Sequence, residues 1–316
     1  MKVRLTQLDG ALPNLALMKL AHYHQSKGDE VHLYRSVERD LFEPEWDIVY
    51  GSAIFKFSQV RLMRFMRQFP GAIVGGTGTH SAQTVEELIG DYEHYDYSIY
   101  PEVDYSIGFT QRGCRLKCKF CVVPKKEGKN RSAGSIWSIY RGEPHPRKLH
   151  LLDNDLFGNP EWRDRIKEIR DGDFKVCISQ GINTRLIDDE SAEAIATIKY
   201  RDTKFAEKRL YTAWDNLKDE GVFFKGVDTL ERAGIKPSNL MTYMLVGYDK
   251  NETWERIWHR FNRMVERGVK PYPMVYDRSR KDLVAFQRWV VMGLYRIIPW
   301  ADYESKWKTE ESILEH

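Results

Sequence analysis

Two hydrophobic rhythms alternate over the first hundred residues. The runs VRLTQL, EVHLY, DIVYGSAI and GAIVGG are short, β-branched and bounded by turn residues, the pattern of buried strands. Between them, Leu15, Leu17, Leu20 and Tyr23 recur at helical spacing and predict a helix over 13–27, stopped by Gly28. A second helix is expected over 58–68. Strand and helix in alternation predict a small Rossmann-like parallel sheet with covering helices.

A tyrosine- and acid-rich stretch over 91–106 reads as a linker, after which the alternation restarts. SIGFT, KLHLLDN, KVCISQGI, RLYTAWD, NLMTYMLVG and PYPMVY are six further candidate strands, with helical patterns beginning near Pro160, Asp188, Lys218 and Glu252. A six-fold β/α run predicts a partial (β/α)6 barrel of the TIM type, with its chemistry at the carboxyl ends of the strands. The segment 282–298 reads as one long amphipathic helix. The expected organisation is a Rossmann-like domain over 1–104, a partial barrel over 105–280 and a helical extension over 281–316.

Composition narrows the class. The chain has 316 residues, 42% hydrophobic, with no apolar run near the ~18 residues a membrane span needs. Its start lacks the basic-then-apolar order of a secretory signal, so a cytoplasmic location and no membrane partner are expected. A net charge of +3 permits a polyanionic partner without demanding one. Three of the four cysteines crowd into eight positions, which suits metal binding in a reducing compartment better than a disulfide scaffold.

Those three, in GFTQRGCRLKCKFCVVP, are Cys114, Cys118 and Cys121, spaced C-x3-C-x2-C directly after a strand. A cubane of four irons held by three thiolates keeps one iron open for an exogenous ligand, unlike an electron carrier closed by four cysteines. Arg115, Lys117 and Lys119 interleave the three, so the loop is not a core strand. Zinc is the competing reading, with His145 and His150 as further donors. Cys177 alternates with apolar neighbours and reads as a packing residue.

The spacing, with aromatic Phe120 just before the last cysteine, resembles the radical S-adenosylmethionine superfamily over roughly 106–276. The resemblance implies a 4Fe–4S cluster on Cys114, Cys118 and Cys121 whose open iron chelates S-adenosylmethionine. It implies reductive cleavage to a 5′-deoxyadenosyl radical, then hydrogen abstraction or methyl transfer on an undetermined substrate, and an external one-electron reductant of flavodoxin or ferredoxin type. Phe120 would lie beside the adenine, with the Val246 and Gly247 backbone beneath it. Ser179, Gln180, Asn183 and Arg185 resemble residues the family uses for the ribose and carboxylate. Asp153, Asn154 and Asp155 stand where the family often has a Gly-Gly-Glu-like segment for the cofactor's amino group; this sequence departs from that pattern, and an Asx turn explains the same letters. Asp215 and Tyr276, with Trp214 and Asp277 nearby, are the catalytic candidates.

AIVGGTGTH and the preceding βαβ units resemble the cobalamin-binding domain attached to many such enzymes. The D-x-H-x-x-G segment of some cobalamin proteins is missing, so a domain that kept only the scaffold stands beside a cobalamin-binding one. Gly75, Gly76 and Gly78 either admit a ligand or form a turn. No cysteine precedes Cys114, which disfavours the two-cluster methylthiotransferases. Lys125, Lys126, Lys129 and Arg131 either steer a phosphate-bearing substrate or form a solvated charge run. The alternative to an enzyme is a non-catalytic iron–sulfur or zinc module.

Overall fold

The computed structural model describes residues 1–79, 81, 83–303 and 306–313, and the chain divides into two compact units, the first ending at Asp104 and the second beginning at Tyr105.

The first unit holds strands β1 (Lys2–Gln7), β2 (Glu30–Tyr34), β3 (Ile48–Ser52) and β4 (Ile73–Gly75), all parallel, in the order β2–β1–β3–β4. Central β1 is buried on both faces. Val3 and Leu5 pack under the helix Leu15–Ser26, while Arg4 pairs with Glu43 and lies between the rings of Tyr34 and Phe69. Asn14 caps that helix by accepting from Leu17 N at 3.2 Å, and Gly28 leaves it at φ +82°. The helix Gln59–Gln68 carries the β3–β4 crossover.

The order reverses at β1, and in such sheets the crevice outside the strand ends is where ligands bind. Here the chain's own groups occupy it. Gln7 Nε2 donates to the carbonyls of Asp9, Gly10 and Leu12, and the Asp9 carboxylate accepts from Ile54 N (2.7 Å) and Phe55 N (2.9 Å). A Cβ on Gly76 would stand 2.3 Å from the Ala53 carbonyl oxygen, and one on Gly78 2.5 Å from that of Phe55. These glycines therefore serve the close packing of the β4 exit against the β3 exit.

The second unit contains β5 (Ser106–Gly108), β6 (Gln111–Arg112), β7 (Arg131–Ser132), β8 (Lys148–Leu151), β9 (Lys175–Ile178), β10 (Lys199–Tyr200), β11 (Leu210–Ala213), β12 (Leu240–Val246) and β13 (Lys270–Val275). The six strands expected from the sequence are β5, β8, β9, β11, β12 and β13. They are parallel, but they do not make one barrel sheet: β10–β9–β8–β5 form one sheet and β11–β12–β13 another, with no closed barrel among the described residues. The cause is local. β10 takes the edge of β9 at Lys175 and Val176, and past Gly181 (φ +92°) the two sheets meet through Ile182 N to Tyr211 O at 2.8 Å.

One face of both sheets, with Leu149, Val176, Leu210 and Leu240, packs under the helices as the main core. The opposite face carries His150, Cys177, Tyr211, Tyr243 and Tyr272, and Tyr243 Oη donates to Ser179 O at 2.7 Å across the gap between the sheets. The long helix expected over 282–298 ends earlier, at Val291, because Gly293 turns left-handed (φ +72°). Its Leu283, Phe286, Trp289 and Val290 belong to the main core, so residues set apart as an extension complete this unit. They build an aromatic raft with Trp254, Trp258 and Trp300. No helix among the described residues is long and apolar enough to cross a membrane.

Candidate cluster and cofactor site

The cysteine loop is a closed structure tied down at its base. The antiparallel pair β6–β7 joins its two ends, and Gly113, at φ +80°, runs so close to the returning chain that a Cβ would stand 2.3 Å from Lys129 O. Two carboxylates at the exit of β8 hold the loop in place. Asp153, fully buried, accepts from Thr110 N (2.7 Å), Gln111 N (3.1 Å) and the Thr110 hydroxyl. Burial pushes this carboxyl up to about 6, against the lowering effect of those donors.

Asp155 takes Arg115 in a two-pronged grip, Nε to Oδ2 at 2.7 Å and Nη2 to Oδ1 at 2.9 Å, and also accepts from Arg115 N (3.1 Å) and Asn130 Nδ2 (3.2 Å). Its own N–H donates to Gln111 Oε1 at 3.0 Å. Asn154 Nδ2 donates to Glu127 Oε2 (3.2 Å), which also accepts from Gly113 N (3.0 Å) and pairs with Arg112 (3.3 Å). The three residues 153–155, expected to meet a cofactor's amino group, are thus engaged in anchoring the loop.

Held this way, Cys114, Cys118 and Cys121 are all free and half-buried. Burial pushes the Cys114 and Cys121 thiols up; the other cysteines and nearby carboxylates add to this, while the Leu116 N–H (3.4 Å from Cys114 Sγ) and the Val123 N–H oppose it. A bound cation would draw off the protons of such thiols. Among the described residues, no group of three or more His, Cys, Asp or Glu side chains forms a site for a metal ion. A cubane spreads its thiolates over separate irons, wider apart than the donors of one ion. Three soft, half-buried thiols on a clamped loop with backbone N–H donors are a donor set that fits such a cluster.

The remaining predicted residues separate into two groups. Phe120, half-buried, meets the Tyr248 ring edge-on at 5.5 Å, and Tyr248 meets Tyr276 at 4.9 Å, so the loop and the β12 and β13 exits share an aromatic ladder. Gly247, at φ +77°, donates from N to Glu252 Oε2 at 2.6 Å; Val246 is buried. Glu252 pairs with Arg260, which donates to the carbonyls of Trp214 (3.2 Å), Asp215 (3.2 Å) and Leu245 (3.0 Å). Asp215 accepts from Leu245 N at 3.0 Å; burial raises its pKa, opposed by that N–H and by Arg260 and Arg185, and its charge acts on Cys121.

Arg185 pairs with Asp219 (3.0 Å) and donates to Asn183 Oδ1 (3.3 Å), leaving Asn183 Nδ2 a buried donor without a partner. Gln180 is exposed. Ser179 turns inward, its Oγ 2.6 Å from His150 Nε2. His150, fully buried, is depressed to about 4 by burial and is neutral; Cys177, 4.0 Å from it, is pushed up to about 12 by burial. His150 Nε2 is thus engaged by Ser179, and among the described residues no group of three or more donors that includes His150 or His145 forms a site for a metal ion. Lys125, Lys126, Lys129 and Arg131 are exposed, with Arg131 donating to Glu127 O at 2.6 Å.

Sequence reading missed Glu127, Tyr248 and Arg260. Glu127 sits in a run of lysines that looks solvated, and Tyr248 in a polar turn. Arg260 had a signal: it follows Ile257 by three residues and precedes Met264 by four, on the buried stripe of the helix Trp254–Glu266.

No family model matches the chain, and no curated protein does. Among solved structures, the apo, selenomethionine-labelled form of a cobalamin-dependent S-adenosylmethionine radical enzyme, OxsB, matches with a TM-score of 0.49 and 13% identity, over 77% of this chain and 49% of that one. The chain spans about half the length of that enzyme. A likeness at that level leaves the functional reading to the residues themselves.

Proposed function

We propose that the chain is a radical S-adenosylmethionine enzyme, with Cys114, Cys118 and Cys121 as the ligands of its cluster. The observation that carries this reading is the clamped three-thiol loop at the exit of β5, flanked by the exits of the other parallel strands. When bound, a cubane with one open iron supplies the electron that splits a carbon–sulfur bond of S-adenosylmethionine.

The chain's own residues then have definite tasks. Asp155, Asp153 and Glu127 fix the loop, so the three thiols are held before any iron arrives. The ladder of Phe120, Tyr248 and Tyr276 gives an adenine ring flat apolar surfaces to lie against. The Arg260–Glu252 pair holds the exits of β11 and β12 in register beneath it. Arg185 offers a guanidinium to a carboxylate in exchange for Asp219, and the spare donor on Asn183 lies beside it. Asp215, half-buried and close enough for its charge to act on Cys121, would accept from an ammonium group. The substrate and the reaction on it stay open between hydrogen abstraction and methyl transfer.

Anaerobic reconstitution tests the reading. The native chain should take up about four irons, show a spectrum that changes on adding S-adenosylmethionine, and release 5′-deoxyadenosine after reduction. Cys114→Ser, Cys118→Ser and Cys121→Ser should each abolish this, while Cys177→Ser should retain iron. Retention of iron by the triple serine variant, or zinc as the sole bound metal with no nucleoside product, would overturn it.

A further inference from the structure

The net charge of the whole chain conceals a strong local imbalance. Residues 112–131, which form the cysteine loop, contain eight Lys and Arg and one acid, a net of +7, so against a total of +3 the rest of the chain sums to −4. Folding sharpens the contrast. The one acid, Glu127, turns its carboxylate inward to Gly113 N, Asn154 and Arg112 and keeps 11% exposure, and the Asp153 and Asp155 carboxylates that anchor the loop are buried. Seven of the eight cations are exposed, and Lys117, Lys119, Lys125 and Lys129 have no partner among the described residues. Ordinary surfaces intersperse the two signs, whereas this loop keeps its acids inside and its cations outside, which suits it to meet a polyanion.

The kind of cation and its neighbours select the polyanion. Five of the seven are lysines, point charges that bind phosphate oxygens and are depleted in protein-binding surfaces. A protein partner or a bilayer would also need apolar anchors, and Val122, 43% exposed, is the one large apolar side chain that this loop gives fully to solvent. Rings, however, are at hand. The ladder from Phe120 through Tyr248 ends in Tyr276, which is 55% exposed. Cations beside accessible rings hold unpaired strands, with phosphates on the cations and bases stacked on the rings; a duplex keeps its base faces covered.

We infer that the outer surface of the cysteine loop binds single-stranded nucleic acid. Asp153, Asp155 and Glu127 fix the loop, so its cations are presented on a rigid support and little order has to be bought on binding. The lysines take the phosphates, and Tyr276 at the β13 exit takes a base. A strand so held crosses the exits of the parallel strands. On the cluster reading above, on which this one step rests, a base or ribose of that strand is the substrate.

A labelled RNA strand of mixed sequence, about twelve nucleotides long, is the probe, and its dissociation constant with the full chain, read by fluorescence anisotropy, is the measurement. Affinity should fall with salt, with a log–log slope of about 3 for four phosphates. Lys117→Ser/Lys119→Ser and Lys125→Ser/Lys129→Ser should each weaken binding at least about tenfold and lower that slope by about 1.4. Tyr276→Ser should weaken it about tenfold with the slope unchanged. The two lysine pairs alter exposed side chains and should keep the native melting temperature and iron content. An unchanged dissociation constant in both pairs overturns the surface. So does loss of iron, or of binding to phosphatidylglycerol vesicles or polyglutamate, with RNA affinity intact. Equal affinity for a duplex of the same sequence overturns the single-strand assignment. In the reconstituted native chain the RNA should raise 5′-deoxyadenosine release after reduction, and binding with release unchanged overturns the strand as substrate. No nucleoside product with or without RNA sinks the cluster reading instead, while anisotropy on the chain as purified still decides the surface.

Discussion

Arg115, one residue past the first cysteine, grips Asp155, two residues past the first β8 anchor, through two of its guanidinium nitrogens at 2.7 and 2.9 Å. The carboxylate is buried and the guanidinium partly exposed, so the pair fixes the loop from inside while its outer edge stays wet. Asp155→Ala leaves Arg115 N, Asn130 and the guanidinium without their acceptor. The expected cost is about 3 kcal/mol, the lower end of the range for breaking a buried pair because Arg115 reaches solvent. Iron content after reconstitution should fall below half of native, with the circular dichroism spectrum retained. Full iron content in the variant would show that the loop does not need this anchor.

Gly113 and Gly128 both have positive φ, but their surroundings differ. At Gly113 a Cβ meets Lys129 O at 2.3 Å; at Gly128 nothing lies within 4 Å. Gly113→Ala therefore carries both a clash and left-handed strain, whereas Gly128→Ala carries only the strain, about 1–2 kcal/mol. Iron uptake is expected to be lost in the first and nearly native in the second. Equal behaviour would mean that the base of the loop does not close as described.

Arg260 is buried; its Nη2 pairs with Glu252 and donates to the Leu245 carbonyl, while its Nη1 donates to those of Trp214 and Asp215. Arg260→Met leaves the largely buried glutamate charge without its ion-pair partner, only the Gly247 N–H remaining, which costs about 3–5 kcal/mol. Glu252→Gln in the same chain removes that charge and should recover part of the loss. Urea denaturation of the native, single and double variants checks this, and strictly additive effects would show that the two groups are not coupled.

The two buried groups next to the site titrate in opposite senses. His150 is depressed to about 4 from an ordinary 6.5, so the unfolded chain takes up a proton that the folded one refuses, and stability falls as pH drops from 6.5 to 4. Asp153 is raised to about 6 from 3.8, so the stability it adds at low pH is lost as pH rises through that window. Relative to native, His150→Gln should gain stability on acidification and Asp153→Asn should gain it on going from pH 4 to pH 6, each by on the order of 3 kcal/mol. Denaturation midpoints across pH measure both. Parallel curves for native and variants would remove the titration from these residues.

Much of the architecture was readable because it rests on periodicity. The strand-and-helix alternation marked every long parallel strand, and the cysteine spacing marked the loop. What escaped depends on single tertiary contacts. The two-residue strands β6, β7 and β10 carry too few letters to show a period, and it is β10 that separates the second unit's parallel strands into two sheets. Asp155 was legible as a polar residue at a strand exit, but its partner Arg115 lies 40 residues earlier in the sequence, in a stretch that reads as solvated. Glu127 and Arg260 look like ordinary surface charges until the fold surrounds them. Gly76 and Gly78 were recognisable as residues needing room, and only the backbone of Ala53 and Phe55 shows that the chain fills that room itself.

The raft of Trp254, Trp258, Trp289 and Trp300, with ring centroids 5.4–6.3 Å apart, gives the second unit an optical signature of its own. Indoles at that spacing couple their transitions, so near-ultraviolet dichroism and emission colour report whether the last helix is seated against the sheets. The first unit contributes one indole, Trp46, and so a smaller share of the indole signal. Tryptophan emission from a single unlabelled sample is therefore weighted toward melting of the half that carries the cysteines.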